Sequence, residues 1–148
     1  MSAVVRDLSA AHAEVKAEIT RTDSKASLLL AFIGAALAGV WSASKDLTLT
    51  VYTLAPGLAG VAVLLGAAAL LLSSVRPNLS GRHGFPLWAT LTPEQIRDAV
   101  ATDIATDIAG LSRIAVTKFT ALRRAIDLTR IGGALLIVAT VVTLGGAA

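Results

Sequence analysis

Three stretches of this chain lack any charged side chain and are long enough, as helices, to cross a lipid bilayer. They are 26–44, bracketed by Lys25 and Lys45; a stretch that ends at Val75, before Arg76; and 131–148, entered past Arg130. The first rises about 28 Å as an α-helix, close to the hydrocarbon thickness of a membrane. With 55% of residues hydrophobic and only 16% charged and 4% aromatic, gathering the apolar residues into uncharged blocks points to segments solvated by lipid and not to one water-excluding core. An all-α membrane protein with three transmembrane helices follows.

The pattern divides the 148 residues into alternating membrane and aqueous parts. The expected layout is a cytoplasmic amphipathic helix over 1–25, a first span over 26–44, a short external connection over 45–53 and a second span over 54–75. A cytoplasmic connection over 76–92, a long cytoplasmic helix over 93–130 and a third span over 131–148 complete it. The second span is predicted to begin near Pro56, because proline suits the first turn of a helix. A cleaved secretion signal does not fit the first block, which is longer than a typical signal core and follows a mixed-charge segment.

Orientation comes from the cations. The N-terminal segment holds Arg6, Lys16, Arg21 and Lys25, the first connection only Lys45, and residues 76–130 hold eight Lys or Arg. Positive charge is retained in the cytoplasm, so the N-terminus and the long connection are expected inside and the C-terminus outside the inner (plasma) membrane. The same bias explains the net charge of +3 without a nucleic-acid polymer as partner. None of the three blocks holds an ionisable residue, which argues against a conventional pump or transporter. Small residues at helical spacing, Ala35 with Gly39, Ala62 with Gly66, and Gly132 beside Gly133, are the expected points of close helix approach, within one chain or between copies in a homo-oligomer.

Both cytoplasmic helices are amphipathic. Val4, Leu8, Ala11, Val15, Ile19 and Thr22 recur at intervals of three or four, and no Gly or Pro interrupts the chain from Ser2 to Ile33, so the first helix should run on into the first span. The second has a marked start, with Thr92 as N-cap, Pro93 in the first position, and Gln95 at capping-box spacing. Ile96, Val100, Ile104, Ile108, Leu111, Ala115, Phe119, Leu122 and Ile126 then form a stripe predicted to face a partner, and no breaker separates it from the third span. Between the second span and this helix, Pro77, Asn78, Gly81, Gly84 and Pro86 mark turns.

The motifs that carry chemistry are short. Asp23-x-Lys25-Ala26 stands at the entry to the first span and Arg76-Pro77 at the exit from the second. The stretch from Phe85 to Trp88 and the run Leu111-Ser112…Lys118-Phe119…Leu122 complete the set. In this order they resemble the transmembrane effectors of bacterial Pycsar anti-phage defence, a likeness of layout that covers most of the chain. The resemblance implies a membrane protein switched on by cyclic CMP or cyclic UMP, whose assembly impairs the inner membrane in abortive infection. A cyclic nucleotide carries one phosphate charge, so its pocket needs one or two cations on a helical scaffold and polar or stacking groups for the rest. Asp23, Lys25, Arg76, Asn78, Arg82, Arg113 and Lys118 are the candidate ligand-binding residues, with Arg123, Phe85 and Trp88 as further candidates.

Other chemistries find little support. The chain has no cysteine, His12 and His83 lack companions at ligand spacing, and Asp103 with Asp107 reads as a solvated helix face. No phosphate loop, nucleophile elbow or zinc motif occurs, so neither an enzyme nor a cofactor is expected. Two alternatives to the effector reading remain open on the sequence: a scaffolding membrane protein that recruits a protein partner, and an unregulated holin-like pore former.

Overall fold

The computed structural model describes residues 3–45, 51–76, 89–96 and 104–145. Asn78, Arg82, Phe85 and Trp88 lie outside the described residues, as does the stretch that would join residue 96 to Ile104. The described chain contains three long helices, α1 (Ala3–Ser44), α2 (Val51–Val75) and α3 (Ile104–Gly145), and no strand. Each is long and apolar enough to cross a membrane. Chain contacts divide the protein into two compact units, Met1–Asp23 with Arg76–Phe119, and Ser24–Val75 with Thr120–Ala148.

The first unit is built from amphipathic helix. Along α1, Leu8, Ala11, Val15 and Ile19 are half-buried and Thr22 is buried, while Asp7, Glu14, Lys16 and Arg21 are exposed, as the three-and-four spacing predicts. Ile104, Ile108, Leu111 and Ala115 form the matching half-buried stripe of α3. At 93–96 the chain makes one helical turn whose start is a reciprocal capping box. The Thr92 amide donates to Gln95 Oε1 at 2.9 Å, the Gln95 amide to Thr92 Oγ1 at 3.4 Å, and the Ile96 amide closes the turn on the Thr92 carbonyl at 2.9 Å.

The second unit is a helical bundle that is apolar both inside and outside. Its interior is small, comprising Ala26, Ile33, Leu64, Ala67, Leu71, Leu122 and Ala125, and Thr53 and Thr129 are also buried. Thr129 satisfies its hydroxyl within the helix by donating to the Ala125 carbonyl at 2.7 Å. Many large apolar side chains point outward: Leu28, Phe32, Leu58, Ile137, Val141 and Leu144 are all exposed. Only 11%, 22% and 22% of the apolar windows of the three helices are buried. In water that would leave most of the apolar surface exposed, whereas lipid solvates it, so the unit is a membrane bundle.

Aromatic and cationic groups mark its ends. Trp41 and Tyr52 are exposed on either side of the connection after α1, as interfacial aromatics are, and the Lys45 ammonium lies 5.9 Å from the centre of the Trp41 ring.

Helices α2 and α3 run antiparallel and touch through glycine. A Cβ built on Gly132 would lie 2.9 Å from Leu64 Cγ and 3.1 Å from the Gly60 carbonyl oxygen, and one on Gly60 would lie 3.0 Å from the Gly132 oxygen. Only hydrogen at these two positions permits such an approach. The expected small-residue pairs fare differently. Gly132 is at the crossing, but Gly133 is not crowded, and Ala35, Gly39, Ala62 and Gly66 are exposed; Gly60 is the partner the spacing did not single out.

Two further expectations are corrected. Helix α2 starts at Val51 and carries Pro56 inside it, because in a bilayer extra helical residues satisfy their own backbone groups, which outweighs proline's preference for a first turn. Residues 51–53 are therefore helix and not connection. The apolar stripe of α3 does not stay inward throughout: Phe119 and Ile126 are exposed at 38% and 41%, and the buried positions of α3 are Leu122, which belongs to the stripe, with Ala125, Thr129 and Gly132. Once a helix enters lipid, apolarity no longer reports the inward face, and small residues do. Helix α3 passes Arg130 without a break.

Replacing Leu64 by Ala in this interior is expected to cost about 2–4 kcal/mol and to lower the thermal midpoint of the detergent-solubilised protein by several degrees. An equal change at outward-facing Leu58 should move the midpoint little, and scanning fluorimetry of the two variants side by side checks the contrast.

Candidate functional site

Polar chemistry in the first unit centres on Asp23 and Lys118, which come from sequence positions far apart. The Lys118 ammonium donates to both carboxylate oxygens of Asp23, at 2.7 and 2.8 Å. The lysine side chain is only 20% exposed and the aspartate 40%. A pair so covered is screened less than a surface pair, and each ion relies on the other for part of the solvation it has lost. Thr22, buried beside it, donates its hydroxyl to the Glu18 carbonyl at 2.9 Å and leaves no polar atom orphaned. The pair ties α1 to α3 where the N-terminal helix meets the long third one.

In the same unit a shallow groove of about 330 Å³ is lined by Glu14, Val15, Glu18, Arg21, Ser112 and Ala115. Glu14, Glu18 and Arg21 stand at i, i+4 and i+7, so one face of α1 presents two carboxylates and a guanidinium. Arg21 reaches Glu18 across a long 3.4 Å contact with its own side chain 71% exposed, which leaves most of its donors facing water. From α3 comes Ser112, half-buried, beside exposed Arg113. The groove thus offers acceptors, a hydroxyl and one cation, Arg21, within one shallow surface.

Of the candidate ligand-binding residues, the structure brings Asp23 and Lys118 into contact. Arg76 and Arg113 belong to the same unit and are exposed; Lys25 is exposed and belongs to the second unit. Asn78 and Arg82 lie outside the described residues. Glu14, Glu18 and Arg21 were not among the candidate ligand-binding residues, and Ser112 entered only as part of the Leu111-Ser112 motif. Their signal was present as a polar row on one α1 face, but an amphipathic helix has such a row whether or not a second helix walls it.

Comparison with known proteins adds one match. The Pycsar effector protein domain matches residues 7–145. No curated protein and no solved structure matches. The matched segment begins in the amphipathic start of α1 and closes at the last described residue of α3, so it takes in both units together with all three membrane helices. This chain, a multi-pass helical membrane protein, belongs to the Pycsar effector protein domain family of bacterial anti-phage effectors.

Proposed function

We propose that the protein is the membrane-impairing arm of a bacterial abortive-infection response, activated when a cyclic pyrimidine nucleotide, cyclic CMP or cyclic UMP, binds the first unit. The observation that carries this reading is the Asp23–Lys118 pair, which fastens α1 to α3 beside a groove with the functional groups a cyclic nucleotide requires. The groove cation, Arg21, suits the single phosphate charge. Glu14 and Glu18 suit donors on ribose or base.

Helices α1 and α3 each contribute to both units. A ligand that binds one arrangement of the α1–α3 pair better than another shifts the population of that arrangement, and the same two helices carry the membrane segments. In this reading the first unit lies in the cytoplasm and the membrane is the inner one, in keeping with the Lys and Arg residues of 76–118. Copies of the chain assemble to damage it.

Titration of the purified, detergent-solubilised protein tests the ligand. Cyclic CMP or cyclic UMP should raise the thermal midpoint, by the equivalent of about 2.7 kcal/mol at a hundred times the dissociation constant, and cyclic AMP and cyclic GMP should not. Glu18→Gln or Arg21→Ala should weaken the binding about tenfold, a loss of about 1.4 kcal/mol each. A midpoint that no cyclic nucleotide moves would contradict the reading and favour a scaffold.

A further inference from the structure

The crossing of α2 with α3 sets a depth scale inside the second unit. Gly132 packs on Leu64 and on the backbone of Gly60, and Gly57 faces Ala139. Leu64 lies eleven residues before Val75, the last residue of α2, so Gly132 stands about 16 Å in from that end of the helix. Arg130 is then about 13 Å in and Asp127 about 9 Å, while Arg123 and Arg124 are within about 5 Å. Because α2 is about 37 Å long and the hydrocarbon core about 30 Å thick, Arg130 lies about 9–13 Å inside the membrane that α2 spans. Matched to α2 in this way, the third span covers about 121–145 and not 131–148, and its inner half carries charge.

These charges do not point into the bundle. Arg123, Arg124, Asp127 and Arg130 are all exposed, and none forms an ion pair among the described residues. Arg123, Asp127 and Arg130 follow at i, i+4 and i+7, so they share one outward stripe of α3. Arg123 and Arg124 are shallow enough for their long side chains to reach the headgroups. Asp127 has a short side chain and Arg130 is too deep, so a lipid-facing position would strand both in hydrocarbon. Each stripe also has the means to satisfy its neighbour, since the Asp127 carboxylate stands between two guanidiniums at the spacing of successive helical turns. Pairing is incomplete: with Arg124, three cations accompany one anion, and the surplus positive charge requires water and counter-ions.

We propose that the Arg123–Asp127–Arg130 stripe of α3 faces the same stripe on other copies of this chain across a shared, hydrated interior that passes small anions. The inference rests on the membrane-impairing reading above and names the surface that does it. Asp127 of each copy pairs with an arginine of its neighbour, and the unpaired guanidiniums give the interior its positive sign. Charge is common in membrane helices only where a cavity or a partner receives it, and among the described residues no ion pair within one copy receives these side chains.

The test exploits the absence of cysteine. Arg130→Cys and Asp127→Cys are placed one at a time in proteoliposomes, with lipid-facing Ile137→Cys as the control, and exposed to a membrane-impermeant thiol reagent with and without cyclic CMP and cyclic UMP. Both stripe variants should be labelled and the control should not. In vesicles holding a tenfold potassium chloride gradient, the wild-type protein should pass chloride severalfold better than potassium. Arg130→Gln should bring that ratio towards one and Asp127→Asn should raise it. Stripe cysteines that react only with a lipid-soluble reagent, in every condition, overturn the proposal whether or not the vesicles leak. A leak whose ion preference is the same in all variants overturns it too. Failure of the effector reading looks different: no nucleotide would change the leak, even with the stripe labelled.

Discussion

Gly132→Leu is expected to abolish the native bundle, with little monodisperse protein recovered from detergent extracts and no cooperative thermal transition in what remains. The added side chain would start 2.9 Å from Leu64 Cγ and 3.1 Å from the Gly60 carbonyl oxygen. Leu64 could turn aside, but the Gly60 backbone cannot, so α2 and α3 must separate and release Leu64 and Leu136 from their contacts. The cost is about 3 kcal/mol or more, a large share of the stability of a small domain. Gly133→Leu, one position along, meets nothing within 4 Å and should leave extraction and midpoint close to those of the parent. Because both changes put the same residue into the same lipid-embedded helix, any difference between them reports the crossing and not helix propensity. Equal loss in both would show that the α2–α3 register is wrong, and the depths assigned to Asp127 and Arg130 would fall with it.

Reversal of one charge in the α1–α3 pair should have the second-largest effect. Lys118→Glu sets a carboxylate against Asp23 where the ammonium now lies 2.7 Å away, replacing attraction by repulsion between partly covered ions. A loss of about 2–3 kcal/mol in the pairing of the two helices is expected, and with it loss of the nucleotide-dependent shift in midpoint. The double variant Asp23→Lys with Lys118→Glu restores opposite charges and should recover most of both. Recovery of stability without recovery of the nucleotide response would assign these side chains to direct ligand contact and not to holding the helices. A double-variant cycle on the midpoint measures the pair term itself.

These effects also separate what could be read in the residues from what could not. The three uncharged blocks, the unbroken passage of α1 from its amphipathic turn into the first span and the capping box at Thr92 are local patterns, fixed by charge, by the absence of Gly and Pro, and by side chains three residues apart. The passage of α3 through Arg130 is of the same kind. Selection of Gly60 and Gly132 from among several small residues is not local, because it depends on how far one helix is shifted along the other. For the same reason the placement of 123–130 beside uncharged residues of α2 could not be read along the chain. The exposure of Ile126 was missed because a hydrophobic stripe was taken to mean an inward face, a rule that lapses where the solvent is lipid.

At the candidate site, Asp23 and Lys118 were legible as ionisable residues at the ends of amphipathic segments, each with an ordinary surface explanation. Their contact was not, since the two lie far apart in sequence and nothing in either segment names the other. The groove of Glu14, Glu18, Arg21 and Ser112 was hidden in the same way.

The measurement that bears most directly on the central claim, a cyclic-nucleotide signal turned into membrane damage by these three helices, is release of an entrapped dye from vesicles carrying the purified protein. Cyclic CMP or cyclic UMP should start release within the mixing series, cyclic AMP and cyclic GMP should leave the vesicles intact, and Lys118→Glu should abolish the response. Release that proceeds equally without any nucleotide, or that none of the four provokes, would contradict the account.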